Sequence, residues 1–408
     1  YKTKIYMTSI TKSNESSGVL ASLQGATKSV DGFTYSLNRS LPNHSRELLS
    51  EQKSMTGNAQ TVSFDVVKQG LLAKLWLKVT LLYNVGDNVA TDHVLNMINR
   101  VSLNSSNNEL ETLFPQTIRG WINKQPHNVK ANMDSLIAAT GAVANGNVSY
   151  DVHIPLPFSF SMSPEKFLDT EYLQKLNVNV QFNSQTTVVD ASASDFTSAN
   201  CTLLAEYVNM DTASYKEYVN DQFPAGKGLE YLWENSYQEA DVTSAAAATS
   251  HNLDLSCDNP IVETYFRIID TTGGIGTAGN AAWDPFNVRA ITRTNITKIQ
   301  LYGNGKVLYE VNPFFYRLGM SDDSTAITAS GLIAASVDGC LRIDWRLAAA
   351  HLKDAYSGGL SLKNISGPQL RVTTTALAVT YKFQVCHKYL NFVKVDSGNG
   401  RMSVSAAL

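Results

Sequence analysis

Charge is scarce in this chain. Only 17% of its 408 residues are Asp, Glu, Lys or Arg, and their sum is −3. A balance this close to neutral offers no basic field for holding nucleic acid by phosphate neutralisation, which argues against specific nucleic-acid binding. It also leaves much of the surface neutral or committed to contacts. Cysteine is scarce too. Cys201, Cys257, Cys340 and Cys386 include no C-x-x-C pair, so neither a zinc ribbon nor a thioredoxin-like site is signalled. Buried free thiols are the simplest reading, with a disulfide as the alternative. No apolar run is long enough to span a bilayer, and the residues after Tyr1 show no secretory n-region and h-region. The N-x-[ST] triplets at Asn147 and Asn364 then read as coincidence in an Asn/Ser/Thr-rich chain.

Catalytic and metal signatures are missing as well. Of His44, His93, His127, His153, His251, His351 and His387, none forms H-x-H or H-E-x-x-H. A two-cupin enzyme needs two close histidines and a nearby Glu, because its metal wants convergent ligands. His153 stands at the start of a strand-like run and reads as a satisfied core or edge histidine. Gly274 to Gly279 matches G-x-G-x-x-G, yet Pro285 interrupts any helix after it and no acid follows at the required distance. A surface loop is the better reading. No G-x-S-x-G elbow occurs, and Asp322-Asp323 lies in a polar turn. The sequence therefore nominates no catalytic, cofactor-binding or metal residue, no cofactor and no enzymatic activity.

What the chain does contain is alternation with period two, the mark of half-buried strands. It covers Val62–Val66, Leu71–Tyr83, Ile98–Leu103, Ile154–Phe160, Leu176–Phe182 and Thr202–Val208. Residues 209–250 break the pattern, and then it resumes: Leu253–Leu255, Thr264–Ile269, Ile296–Leu308 as strand, turn and strand, Leu341–Trp345, Leu370–Val372 and Leu377–Val385. Ser163–Leu168 reads as a short helix capped by Ser163 with Pro164 first. Ala348–Ala355 reads as its counterpart, and Val19–Leu23 as a helical turn or two. Asn84–Asp92, Asn123–Ser149 and Thr271–Asn295 read as loops.

The two halves correspond. A shift of 198 positions places Ile98 on Ile296, Leu103 on Leu301, Leu110 on Leu308, Pro115 on Pro313 and Arg119 on Arg317 without a gap. Both copies put a turn between the same two apolar runs, Asn104–Asn108 in one and Gly303-Asn304-Gly305 in the other; Asn-Gly is a strong hairpin signal. Two tandem β-sandwiches of about eight strands each account for this layout and argue against an α/β enzyme.

The run Ile154-Pro155-Leu156-Pro157-Phe158-Ser159-Phe160, followed by a short apolar helix and a strand, resembles a segment of the double jelly-roll major capsid proteins. That lineage includes those of adenoviruses, tailless membrane-containing phages and large nucleocytoplasmic DNA viruses. The duplication extends the resemblance to residues 60–390. Ser159 departs from it, standing where the family usually has an aromatic, and the second copy lacks an I-P-L-P run. The resemblance implies an all-β protein of two eight-stranded jelly rolls, with short helices and long loops projecting outward. Its expected parts are an N-terminal arm (1–57), a first jelly roll (58–215), a connector (216–250), a second jelly roll (251–395) and a C-terminal tail (396–408). It implies a capsid protein of the virion, assembled inside the host cell. Its partners would be its own copies in a pseudo-hexagonal homotrimer, neighbouring capsomers, and penton and minor capsid proteins. The arm could also contact an internal membrane. The alternative is a secreted tandem β-sandwich that binds or hydrolyses carbohydrate, although Trp76, Trp121, Trp233, Trp283 and Trp345 are too dispersed to mark an aromatic platform.

Overall fold

The computed structural model describes residues 44–54, 60–83, 88–89, 92–106, 108–125, 127–137, 141–142, 148–161, 167–171, 173–184, 200–210, 229–271, 296–311, 340–346, 359–376, 380–395 and 402–406. The first half forms β1 (His44–Ser54), β2 (Thr61–Val66), β3 (Leu71–Tyr83), β4 (Asn88–Val89), α1 (His93–Asn96), β5 (Ile98–Ser105) and β6 (Asn108–Leu113). It continues through α2 (Pro115–Asn123), α3 (His127–Ile137), β7 (Gly141–Ala142), β8 (Val148–Leu156), β9 (Leu168–Asp169), β10 (Leu176–Phe182) and β11 (Asn200–Met210). The second half forms β12 (Leu229–Gln238), β13 (Val242–Ser244), β14 (Ser250–Asp254), β15 (Ile261–Asp270), β16 (Ile296–Gly303) and β17 (Lys306–Val311). It ends with β18 (Cys340–Asp344), β19 (Gln369–Thr374), β20 (Tyr381–Val395) and β21 (Met402–Ala406).

Alternation decides the layering. On β2 the side chains of Val62, Phe64 and Val66 are buried while those between face out. β10 does the same with Leu176, Val178, Val180 and Phe182. Two sheets bury such faces against each other. The first pair is β1-β11-β3-β8, with β9 also on β3, over β2-β10-β5-β6. The second is β12-β20-β15-β18, with β13 and β21 also on β20, over β14-β19-β16-β17. The orders match strand for strand: β12 stands where β1 stands, β20 for β11, β15 for β3, β18 for β8, and β14, β19, β16 and β17 for β2, β10, β5 and β6. The protein is all-β, two jelly rolls in tandem.

The duplication reaches single residues. β5 and β16 begin and end 198 positions apart, as do β6 and β17. Val101 pairs with Leu113 as Ile299 pairs with Val311. The same bulge recurs, after Leu103 in one hairpin and after Leu301 in the other. Ser106 and Asn304, also 198 apart, have φ of 54° and 53°. Gly305 follows at 75°, so Asn304-Gly305 forms the turn with two positive φ values that matches strand twist. Both turns also hang from the neighbouring chain segment: the Ser106 N–H donates to the Lys175 carbonyl (3.0 Å) and the Asn304 N–H to the Ser366 carbonyl (2.9 Å).

The chain divides into two compact units. One comprises residues 1–47 and 208–225, of which 44–47 and 208–210 are described; within it Asn209 Nδ2 donates to Glu47 Oε2 at 3.0 Å. The other, 48–207 with 226–408, holds both sandwiches apart from the ends of β1 and β11.

Several expectations need correction. Within residues 1–57, read as an arm that lies on other structure, β1 is a sheet strand. The stretch 216–250, read as a patternless connector, contains β12 and β13, and the tail 396–408 contains β21; all three pair with β20. On β12 the alternation is blurred because Trp233 packs into the first sandwich's cluster while Asn235 and Ser236 are buried as well, and β13 and β21 are only three and five residues long. Asn123–Ser149 is not one loop: it holds α3 and β7, and β7 pairs with β4 inside the supposed loop 84–92. The strand expected over Ile154–Phe160 ends at Leu156, before Pro157. Leu168, expected to close a short helix, lies in β9, and residues 163–166 fall outside the described set. Also outside it are Val19–Leu23, Ala348–Ala355 and residues 272–295.

Candidate assembly site at the junction of the two sandwiches

The two sandwiches meet along β6 and α2 of the first and β12, β15 and β20 of the second. Trp233 on β12 belongs to the first sandwich's apolar cluster, together with Ile269, Val393, Val395 and Met402 from the second half. Its ring lies 6.3 Å from that of Phe160, which stacks on Phe158 at 6.1 Å. The I-P-L-P-F-S-F run thus ends against the other sandwich.

Beside this apolar contact lies a buried polar seam. Trp233 Nε1 donates to Glu111 Oε2 on β6. The Ser159 N–H donates to the same oxygen at 2.9 Å, and Ser159 Oγ donates to the Glu234 carbonyl at 2.7 Å. The Asn235 side chain caps the open edge of β6: its Oδ1 accepts from the Thr112 N–H (2.8 Å) and its Nδ2 donates to the Leu110 carbonyl (3.3 Å). Ser159, noted above only as a departure from the family run, is therefore a junction residue. No sequence signal could have marked it, since its partners are 48 and 75 positions away.

Glu111 is wholly buried. Burial raises its carboxyl to about 8, against the opposing pull of the Ser159 N–H, Lys388 and Trp233. Glu111 Oε1 has no hydrogen-bond partner, which suits a neutral acid at neutral pH.

Glu263 on β15 is the opposite case. It too is buried, but it receives Lys124 from the end of α2, Arg342 Nη2 (3.0 Å), Arg346 and the Tyr265 hydroxyl (2.6 Å). Burial pushes its pKa up, yet Lys124, Arg342, Lys388 and Arg346 hold it well below the usual carboxylate range. Lys388 in turn donates to Glu234 Oε2 at 2.7 Å. Further along, Arg267 Nη1 on β15 donates to Asn96 Oδ1 at 2.6 Å and Gln116 Nε2 to Gln384 Oε1 at 3.2 Å, beside a polar cavity lined also by Asp241 and Lys382. α2 approaches so closely that a Cβ on Gly120 would lie 2.2 Å from the Tyr265 ring. α2 itself is anchored by Arg119, whose Nε donates to Asp92 Oδ2 at 2.9 Å and whose second nitrogen pairs with Oδ1. Buried pairs of this kind add little net stability but are costly to break singly. They fix the registration of one sandwich on the other.

None of this resembles a catalytic centre. His251 meets Thr374 at 3.0 Å in the second core. His387 places Nδ1 2.8 Å from Thr264 and Nε2 3.2 Å from Glu239. His153 lies inside β8, the edge strand of its sheet, with its side chain exposed: an edge histidine rather than a core one. Cys201, Cys257 and Cys386 are buried free thiols, and burial raises all three. Among the described residues no group of three His, Cys, Asp or Glu could hold a metal ion. Gly274–Gly279 and Asp322-Asp323 lie outside the described residues.

The fold defines a class, the double jelly rolls, and solved structures supply particular likenesses. VP54 of PBCV-1, whose crystal structure was fitted into a reconstruction of the virophage Sputnik, superposes with a TM-score of 0.70 at 15% identity, over 91% of this chain and 98% of that one. The Faustovirus major capsid protein gives 0.61 at 10% identity, over 97% and 98% of the two chains. The mavirus major capsid protein gives 0.51 at 10% identity, over 88% and 90%. At these identities the likeness is one of fold. No protein-family model matches the sequence, and no curated protein matches it.

Proposed function

We propose that this chain is the major capsid protein of an icosahedral virus, and that three copies form a pseudo-hexagonal capsomer. The observation that carries this reading is the duplication: two jelly rolls of one strand order, locked by a buried seam, in a fold shared with major capsid proteins along nearly the whole chain. Three such chains bring together six similar sandwiches, which suits a hexagonal lattice. Function is then burial of side surfaces, with no turnover. The protein resides in the virion, and its partners are its own copies, neighbouring capsomers, and penton and minor capsid proteins; it holds no nucleic acid specifically. Its working parts are a segment 1–57 that ends in β1, the first jelly roll (58–215), a connecting segment 216–250 that carries β12 and β13, the second jelly roll (251–395) and a segment 396–408 that carries β21. In this reading Lys2, Lys4 and Lys12 of the arm supply the basic groups for contact with an internal membrane, at about 1 kcal/mol each near an anionic surface.

Negative-stain imaging of the purified protein tests the proposal. Three-fold particles of hexagonal outline are the expected result. A monomer at all concentrations up to tens of micromolar, unchanged by added salt, would count against it.

A further inference from the structure

Among the described residues, the edge strand β6 is covered within the chain and its counterpart β17 is not. On β6, Asn235 of β12 takes up the Thr112 N–H and Leu110 carbonyl, and Trp233 covers Glu111. β17 repeats the register and the bulge of β6 and lies at the end of its sheet, so the equivalent Glu310 N–H and Leu308 carbonyl lie on the outer edge. Its side chains have changed character. Where β6 has Glu109 and Glu111, β17 has Val307 and Tyr309, 45% and 43% exposed. The strand that should cover this edge can be read from the sheet orders. β12 covers β6, and β12 stands where β1 stands in the first sandwich. β1 carries Leu48, the most exposed large apolar side chain of the described residues at 61%.

We infer that β17 of one chain docks on β1 of a second copy, with Val307 and Tyr309 covering Leu48. The inference rests on the homotrimer reading above and deepens it. The contact is heterologous, a different patch from each partner, so it closes a ring rather than a two-fold pair. The in-chain junction forms as the chain folds and can seal an acid such as Glu111 in place. A contact between finished chains must first stand in water and then gain by burial, which favours an aromatic with a polar tip and aliphatics over carboxylates.

The test uses the full-length protein in sedimentation-velocity runs. Leu48→Arg and Tyr309→Glu, each alone, should raise the concentration at which trimers dissociate at least tenfold, with unfolding midpoints close to wild type. The double variant places opposite charges across every contact and should recover most of the trimer, which a merely destabilised fold would not do. Should Tyr309→Glu disturb folding through its ring contact with Trp345, Val307→Glu takes its place. Wild-type trimers with both single variants equally trimeric would overturn the assignment of these faces and leave the capsomer reading standing. A wild-type monomer at all concentrations would overturn both.

Discussion

Opposite Leu103 on β6 stands Glu111, with no exposed surface; opposite Leu301 on β17 stands Tyr309, 43% exposed. Backbone, register, bulge and turn are shared by the two hairpins, so the difference lies wholly in the side chains and in what covers them. One edge is sealed by the amide of Asn235 and the indole of Trp233 of the same chain. The other presents apolar groups to solvent. A duplicated fold can thus keep its geometry while each copy meets a different neighbour, because register is set by the apolar alternation and hairpin geometry, whereas the edge residues are left to specialise.

The sharpest way to break the comparison is to remove the charge that the first junction depends on. Glu263→Ala leaves Lys124, Arg342 and Arg346 without their shared carboxylate. It should cost about 3–5 kcal/mol, read as a lower urea midpoint, whereas substitutions on the open β17 edge should leave the midpoint nearly unchanged. Equal small losses at both places would show that the two edges do not differ in kind.

A pH series separates the two edges next. The Glu111 carboxyl is raised from 4.5 to about 8 in the folded chain. The unfolded chain therefore releases this proton first, and stability should fall as pH climbs from about 4.5 to about 8. The fall amounts to about 5 kcal/mol at most and ceases above that window. Glu111→Gln keeps the shape and removes the titration. Its stability should vary less across that window, and it should exceed wild type at pH 9. A slope identical to wild type would show that Glu111 titrates normally.

The smallest effect concerns the turns. Gly305, at φ 75° with open space around a Cβ, should lose about 1 kcal/mol as Gly305→Ala, from backbone strain alone. Hydrogen exchange in β16 and β17 should quicken while the β5–β6 hairpin stays protected. Quickening in both hairpins would mean the two sandwiches open as one unit.

Some of this was legible in the chain itself. β3 and β10 follow from alternation to the residue, and the hairpin pair follows from a shift of 198 and one Asn-Gly. Such features arise from neighbours a few positions apart, and period-two burial leaves a direct trace in composition. β12, β13 and β21 could not be read in this way, and neither could the roles of Ser159, Trp233, Glu111 and Glu263. On β12, Trp233, Asn235 and Ser236 are all buried, because its second face meets another sandwich; the two-period signal is lost where both faces have partners. The amino-acid sequence by itself determined two β-sandwiches of one pattern, since local apolar spacing specifies strands and turns. Which edge each sandwich closes, and which carboxyl stays protonated and which ionised, only the tertiary structure decided. Those outcomes depend on partners dozens to hundreds of positions away, and on the desolvation and charge they bring.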